Sequence, residues 1–263
     1  MTIYFAVFSA RFRTLLQYRA AAFAGFGCQL FWGLMRVMIF TAFYHSVSTP
    51  QPLSLEQTIT YLWLVQALLM VVPWTGDAEV SEQIRTGNVA FEMVRPVDLY
   101  SLWFARALAQ RTAPAILRSF PMFIVAGAFL GLNPPSSIQA AIAFLVAILG
   151  GVLLSASFTV LQSVFLFWTI SGVGAARLFP SLVLFCSGML VPLPLFPKWA
   201  QPILDFLPFR GIIDAPFRIY LGHMPVSETF SLLIHQLLWL LVIVLFTRWL
   251  LQRGLRQAII QGG

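Results

Sequence analysis

The densest cluster of charged residues in this chain is residues 77–98, which read DAEVSEQIRTGNVAFEMVRPVD. This segment holds five of the nine acidic residues and two arginines, whereas no charged residue lies between Arg118 and Arg177. Lipid excludes charge, so a charged segment between long apolar stretches must face water or another protein. Carboxylates and guanidinium groups interleaved with apolar side chains can form ion pairs with a partner, and the mixture therefore indicates a docking surface.

The first half of this segment predicts a short helix over residues 77–86. Val80 and Ile84 are four residues apart and share one face, and three acidic residues lie toward the N-terminal half, where the helix dipole favours negative charge. Gly87 can end the helix because it tolerates left-handed backbone; a solvated loop is the alternative. The predicted docking residues are Asp77, Glu79, Val80, Glu82, Ile84, Arg85, Gly87, Arg95 and Pro96.

The composition assigns the chain to the integral membrane proteins. Of its 263 residues, 59% are hydrophobic and 10% are charged, with a mean hydropathy of +0.86, whereas soluble domains contain about 25% charged residues. The net charge of +7 could indicate nucleic-acid binding. The basic residues are scattered among apolar stretches, however, and the basic bias of cytoplasmic loops explains them better. We expect a lipid bilayer as partner and no nucleic acid.

The apolar pattern predicts an all-α fold with six membrane-spanning helices in one domain over residues 1–263. The spans are predicted near residues 20–44, 57–74, 112–132, 138–170, 178–191 and 229–249. The fourth would be roughly 50 Å long at 1.5 Å per residue, so it should tilt, bend near Gly150 and Gly151, or protrude from a ~30 Å core. Before the first span, residues 3–18 predict an amphipathic interfacial helix; the alternative is that they extend that span.

Six spans place both termini on one side of the membrane. With a cytoplasmic N-terminus, twelve of the sixteen basic residues lie inside and three lie outside, Lys198, Arg210 and Arg218, so the positive-inside rule places both termini in the cytoplasm. Residues 192–225, on the outer side, contain seven prolines among apolar residues. Proline ends helices, so this segment predicts short half-helices that dip into the outer leaflet, with a floppy loop as the alternative.

The sequence lacks the common motifs for nucleotide binding and for hydrolytic catalysis. It contains no G-x-x-x-x-G-K-[ST] phosphate loop, no H-E-x-x-H and no G-x-S-x-G. The three histidines share no spacing, and Cys28 and Cys186 are expected to be buried small hydrophobic residues rather than a disulfide or metal ligands. We therefore predict no catalytic residue, no metal and no cofactor in this chain.

Three polar residues within predicted spans are candidates for a pathway or for contacts between helices: Arg36, Gln66 and Gln162. Arg36 is the one charged residue deep in a predicted span. One interpretation is that its side chain snorkels to the surface or has a structural partner, and the other is that it lines a pathway. An ion-coupled carrier needs a mid-membrane acid, and no Asp or Glu lies deep in a predicted span. Energy for transport would then enter through residues 77–98. A membrane anchor that transports nothing is a third reading.

Two stretches of this sequence resemble the permease subunits of bacterial ABC exporters of the type-2 export class, in a six-helix branch whose substrates are largely unassigned. The first stretch is IRTGNVAFEMVRPVD, residues 84–98. The second comprises Ser187-Gly188-Met189, Pro192, Phe196-Pro197-x-Trp199, Leu207-Pro208-Phe209, Pro216 and Leu221-Gly222.

The resemblance implies a role for each segment. Residues 1–19 would form an elbow helix, and residues 75–101 a coupling loop whose helix seats on a separate ABC ATPase. Residues 192–225 would form an outer re-entrant hairpin. ATP and magnesium would bind the ATPase, and the permease would pair with a second copy or a homologous permease in the bacterial plasma (inner) membrane. The expected function is ATP-driven export of an amphipathic or hydrophobic small molecule or lipid; the alternative is an ion-coupled carrier.

Overall fold

A computed structural model describes residues 3–168 and 173–261, and over these ranges the chain forms eleven α-helices, short 3₁₀ turns and no strand. The all-α prediction is confirmed for these residues. The last residues of the predicted fourth span, 169 and 170, lie outside them. The helices are α1 (Ile3–Leu16), α2 (Arg19–Ser46), α3 (Leu55–Ala67), α4 (Ala78–Arg85), α5 (Val89–Met93), α6 (Leu99–Phe129), α7 (Ile138–Val164), α8 (Val173–Cys186), α9 (Gln201–Phe206), α10 (Asp214–Tyr220) and α11 (Thr229–Gln261).

The N-terminal helix is separate from the first long helix. The chain leaves helical geometry at Gln17 and Tyr18, and α2 begins at Arg19. Helix α1 packs against α6, and the Tyr4 hydroxyl accepts a hydrogen bond of 3.0 Å from the backbone N–H of Asp98. A separate helix is therefore confirmed, and its place at a membrane surface stays a prediction.

Four of the described helical segments are long and apolar enough to cross a membrane: residues 19–46, 99–129, 138–167 and 226–256. Helices α3 and α8, at the predicted second and fifth spans, have 13 and 14 residues. At 1.5 Å per residue each is about 20 Å long, which is less than a ~30 Å hydrocarbon core. Four long helices are thus present, and six spans stay a prediction.

Helix α3 is surrounded by the rest of the chain along most of its length. Residues 60–65 are fully buried, and the indole N–H of Trp63 donates to the carbonyl of Leu130 at 2.8 Å. A capping box begins the helix: the Ser54 hydroxyl accepts from the N–H of Gln57, whose side chain accepts from the N–H of Ser54. After α3, the chain forms a 3₁₀ turn over residues 69–71 and then leads toward residue 77.

Helices α6 and α7 differ from their predicted spans. Helix α6 begins at Leu99, not near residue 112, because the Asp98 carboxylate caps it by accepting from the N–H of Ser101 at 3.0 Å. Helix α7 continues without a break through Gly150 and Gly151, and the choice among a tilt, a bend and a protrusion stays a prediction. A Cβ at Gly151 would lie 3.0 Å from the carbonyl oxygen of Ile212. These glycines serve close packing.

The outer segment is packed, and the alternative of a floppy loop is wrong. It contains α9 and α10, and α10 packs against α7 with Phe217 and Ile219 fully buried. The N–H of Asp214 donates to the carbonyl of Ser187 at 3.1 Å, which joins α10 to the end of α8. Gly188 turns the chain there with a φ of 82°, a left-handed value that favours glycine. Short helices are confirmed, and their depth in the outer leaflet stays a prediction.

Candidate functional site

The helix predicted from the charged segment is present as α4. Its N-cap is Asp77, whose carboxylate oxygen Oδ1 accepts from the N–H groups of Glu79 at 2.9 Å and Val80 at 3.3 Å. The helix ends at Arg85, and Gly87 follows with a φ of 75°. Local signals in the sequence, an acidic cap and a glycine stop, thus define both ends of the helix.

Ion pairs hold the N-terminus of α4 against α6 and α1. The Arg106 guanidinium of α6 donates to Asp77 Oδ2 at 3.1 Å and lies 2.5 Å from Glu79 Oε2. Arg11 of α1 contacts the same Glu79 oxygen at 3.2 Å. The hydrogen bond from Arg106 is the main cause that lowers the pKa of the Glu79 carboxyl below its ordinary value of 4.5. Three helices therefore meet through Glu79.

A buried arginine fixes the chain that leads into α4. Arg111 of α6 is 4% exposed, and its guanidinium donates to the carbonyls of Val72 and Thr75, each at 2.7 Å, and to the Thr159 hydroxyl of α7 at 3.0 Å. A guanidinium carries five N–H donors in a planar fork and stays charged. One side chain therefore binds the incoming chain to two long helices.

Two further contacts join the same stretch to α7. The Gln162 amide donates to the carbonyl of Pro73 at 2.9 Å, and the N–H of Asp77 donates to the Ser163 hydroxyl at 3.0 Å. A Cβ at Gly76 would lie 2.7 Å from that hydroxyl oxygen, so the backbone approaches α7 closely there. Gln162, predicted as a pathway or interhelix residue, thus contacts the segment before α4.

The far end of the charged segment is fixed as well. The Glu92 carboxylate accepts from the indole N–H of Trp103 at 2.9 Å. The Asp98 carboxylate pairs at 2.7 Å with Arg248 of α11, whose guanidinium also lies 4.9 Å from the ring centroid of Tyr100. Residues 72–98 are therefore tied at both ends to the long helices.

The structure divides the predicted docking residues into two groups and corrects the role of two. Val80 is 1% exposed and Asp77 is 3% exposed, so both face the interior and support α4 instead of offering surface. Ile84 is half-buried against the same core. The sequence spacing identified an apolar face and could not say that this face turns inward. Exposed residues are Glu79, Glu82, Arg85, Gly87, Arg95 and Pro96.

Two exposed apolar residues complete the outward surface and were not predicted. Phe91 of α5 is 73% exposed and Val94, just after it, is 85% exposed. Each is followed by a charged residue, Glu92 or Arg95, and an exposed apolar side chain in water costs free energy unless a partner covers it. The sequence feature that could have identified Phe91 and Val94 is the apolar run within the charged segment.

The sequence profile of the ABC-2 family transporter protein matches residues 30–262 of the chain. The chain belongs to this family. No curated protein and no solved structure gives a significant match. As a member, the chain is a membrane permease component of an ABC transporter and not its catalytic component, as the resemblance implied.

The deep polar residues of the permease serve contacts between its own segments. The Arg36 guanidinium of α2 donates to the carbonyls of Met189 at 2.6 Å and Leu190 at 2.5 Å, just after α8. These contacts supply a structural partner for Arg36, and a role in lining a pathway stays a prediction. Gln66 is 3% exposed, and its Cγ lies 3.1 Å from the position of a Cβ on Gly33 of α2.

A buried carboxylate in the outer segment of the permease was not predicted as a site. Asp214 is 0% exposed; its Oδ1 accepts from the Tyr61 hydroxyl of α3 and from the N–H of Leu193, each at 3.0 Å, and Arg218 lies 3.6 Å from Oδ2. The Tyr61 hydroxyl also contacts the carbonyl of Gly188 at 3.0 Å. Asp214 thus joins α3 to the outer segment.

Residues that could hold a metal do not converge in the described part of the permease, where no group of three His, Cys, Asp or Glu side chains has suitable geometry. Cys28 is exposed and Cys186 is half-buried. The prediction that Cys28 is buried was wrong for the chain by itself.

Proposed function

We propose that this permease is the transmembrane subunit of an ATP-driven ABC exporter and that residues 75–101 couple it to a separate ATPase. The observation that carries this proposal is the two-sided construction of the charged segment. Its inward side is bound to α6 and α7 through Arg106, Arg111 and Ser163. Its outward side carries charges of both signs around Phe91 and Val94.

A segment with this construction transmits force. A partner that pushes on α4 or α5 pushes on the arginine contacts and hence on two of the long helices. The chain carries no phosphate loop of its own, so ATP and magnesium would bind the partner. Interfaces favour buried aromatic residues with polar rims, and the exposed residues of this segment include Phe91 together with Glu82, Arg85 and Arg95.

The contacts of Asp98 support the proposed topology. Asp98 bonds to Tyr4 of α1 and to Arg248 of α11, so the first helix and the part of the final helix around Arg248 lie at the same end as the charged segment. With the ATPase in the cytoplasm, both terminal helices end on the cytoplasmic side. We place the protein in the bacterial plasma membrane, paired with a second copy or a homologous permease.

The proposed cargo is an amphipathic or hydrophobic small molecule or lipid. The long helices carry few charges, and Arg36, the charge predicted to lie deepest, is occupied by two backbone carbonyls. A pathway lined by such helices accommodates apolar surface and would not solvate a multiply charged solute.

A pull-down of the tagged chain from native membranes in mild detergent, followed by mass spectrometry, tests the ATPase partnership. We expect a co-purifying protein with a phosphate loop, together with any second permease. The double variant Phe91→Ser/Val94→Ser should release it, because both side chains are exposed and their loss leaves the fold intact. Val80 is unsuitable for this test, because its loss would damage the core of the permease.

The matched control is Trp199→Ser, which removes an aromatic residue of similar exposure, 76%, from the outer side. Retention of the ATPase by the Phe91/Val94 variant would refute the assigned docking surface. A chain that is purified alone in several detergents and transports under an ion gradient without ATP would instead establish the ion-coupled carrier.

A further inference from the structure

The outer end of the permease contains a cavity of about 240 Å³ that the transport proposal does not use. Its wall includes Lys198, Arg218 and His223 from the outer segment, and Pro52 from the loop between α2 and α3. Sites for drug-sized ligands are typically ~300–1,000 Å³, so this cavity fits a small chemical group.

The positive charge of Lys198 is not neutralised within the described part of the permease, where no carboxylate oxygen lies within 4.0 Å of its ammonium group. It is also the single lysine of the chain. The one acidic residue in the cavity wall is Asp205, and its Oδ1 accepts from Arg210 at 2.7 Å. Arg210 therefore offsets the negative charge of Asp205, and the cavity keeps a net positive charge.

Arg218 contributes a guanidinium group that is ion-paired with Asp214 and still has N–H donors to spare. Its Nη1 lies 3.6 Å from Asp214 Oδ2, which is longer than a normal hydrogen bond, and its Nε is buried without a hydrogen-bond partner among the described residues. His223 lies beside it in the wall, where burial and the Arg218 charge lower the pKa of the imidazole below 6.5. The lowered pKa favours the neutral imidazole, which has one N–H donor and one acceptor.

We propose that this cavity binds a phosphate group. An ammonium group and a guanidinium group with unused N–H donors are the side chains that recognise phosphate oxygens most strongly, and the volume suits a headgroup rather than a whole amphipathic molecule. The phosphate belongs either to the headgroup of an anionic phospholipid or to a small phosphate-bearing solute. This site is separate from residues 75–101, and its existence does not depend on ATP-driven export.

Two binding measurements on the purified full-length chain distinguish these sources. In uncharged maltoside detergent, isothermal titration with inorganic phosphate and with glycerol phosphate measures binding of a free phosphate. For the lipid source, the protein is placed in nanodiscs of phosphatidylcholine alone or of equal parts phosphatidylcholine and phosphatidylglycerol. The protein is then released from the nanodiscs, and native mass spectrometry identifies the lipid that stays bound to it. Binding in the first arm identifies the solute source, and selective retention of phosphatidylglycerol identifies the lipid source.

The variant Lys198→Gln removes one cation from an exposed position, and we expect the Kd for the bound phosphate to rise roughly tenfold, the effect of losing one charge-assisted hydrogen bond. Arg218→Gln should weaken binding at least as much. The control Arg253→Gln, at the other end of α11, should bind as the wild type does.

The proposal is overturned if the wild-type chain binds neither phosphate nor phosphatidylglycerol above the level of phosphatidylcholine. It is overturned equally if Lys198→Gln and Arg253→Gln bind as tightly as the wild type. Neither result bears on the ATPase pull-down, so the two proposals fail independently.

Discussion

Arg111 gives the sharpest test of how the charged segment is attached to the long helices. We consider two substitutions, Arg111→Met, which keeps an unbranched apolar stem, and Arg111→Lys, which keeps the charge. The arginine makes three hydrogen bonds, to the carbonyls of Val72 and Thr75 and to the Thr159 hydroxyl. At a net ~1 kcal/mol for each bond, methionine loosens the attachment of residues 72–77 by about 3 kcal/mol, whereas lysine, which keeps one bond, loosens it by about 2 kcal/mol.

Thermal stability should follow the opposite order. Burying a cation costs several kcal/mol of desolvation, and this cost is offset only while its hydrogen bonds are complete. Lysine would leave a charge in a site that is 4% exposed with most of its bonds missing, whereas methionine removes the charge. We therefore expect the thermal midpoint of the methionine variant to equal or exceed that of the lysine variant.

Hydrogen–deuterium exchange of the full chain measures the attachment directly. The amide of Asp77, which donates to Ser163, reports opening of the segment. Exchange should accelerate by about 150-fold in the methionine variant and about 30-fold in the lysine variant, since ~1.4 kcal/mol corresponds to a factor of ten. Acceleration below tenfold in the methionine variant, or a lysine variant that opens more than the methionine variant, would refute the reasoning.

With the ATPase partner present, the same variants test transmission. The complex of the methionine variant with its ATPase should still hydrolyse ATP. The addition of ATP should, however, no longer change the hydrogen–deuterium exchange of residues 192–225. An unchanged ATP response there would mean that force passes through other contacts.

The remaining predictions concern close packing and pH. A Cβ at Gly150 would collide with the Gln236 side chain, so Gly150→Ala should lower the thermal midpoint, and Gln236→Ala should restore it. A Cβ at Gly151 would instead meet backbone carbonyl oxygens at 3.0 and 3.1 Å. Gly151→Ala should therefore lower the stability by about 1–3 kcal/mol, and Gln236→Ala should not restore it. If Gln236→Ala restores the stability of both glycine variants, the assigned contacts are contradicted. Because Arg106 lowers the pKa of Glu79, this carboxylate stabilises the fold above pH 4.5 and loses that effect as the pH falls through the lowered pKa. The difference in thermal midpoint between wild type and Glu79→Gln should therefore stay constant from pH 7 to pH 5, and a decline within that range would refute the assignment.

Features with local causes were predictable from the sequence. The acidic N-cap at Asp77 and the glycine at position 87 specify α4 through contacts within a few residues. The start of α11 at Thr229 likewise agrees with its predicted span. Hydropathy, however, does not separate burial in lipid from burial in protein, so it could not predict that α3 has only 13 residues and is buried by the rest of the chain.

Features that depend on distant pairs were not predictable from one sequence. Tyr61 and Asp214 meet across 153 positions, and no local pattern relates them. The identity of Arg111 indicated a cation near the membrane surface but could not indicate which backbone carbonyls it binds. Val80 shows a related limit, since spacing of four reveals a shared face and leaves open whether that face turns toward the core or toward a partner.

The separation of inward anchors from outward residues in the charged segment has a consequence for gene duplication. Under the proposed coupling role, substitutions around Phe91 and Val94 in a copied gene would alter which ATPase is recognised, while the contacts of Arg106 and Arg111 are untouched. Two diverged copies that keep this outward surface would share one ATPase while their long helices adapt to different cargo. Partner choice and cargo choice would then evolve on separate residues.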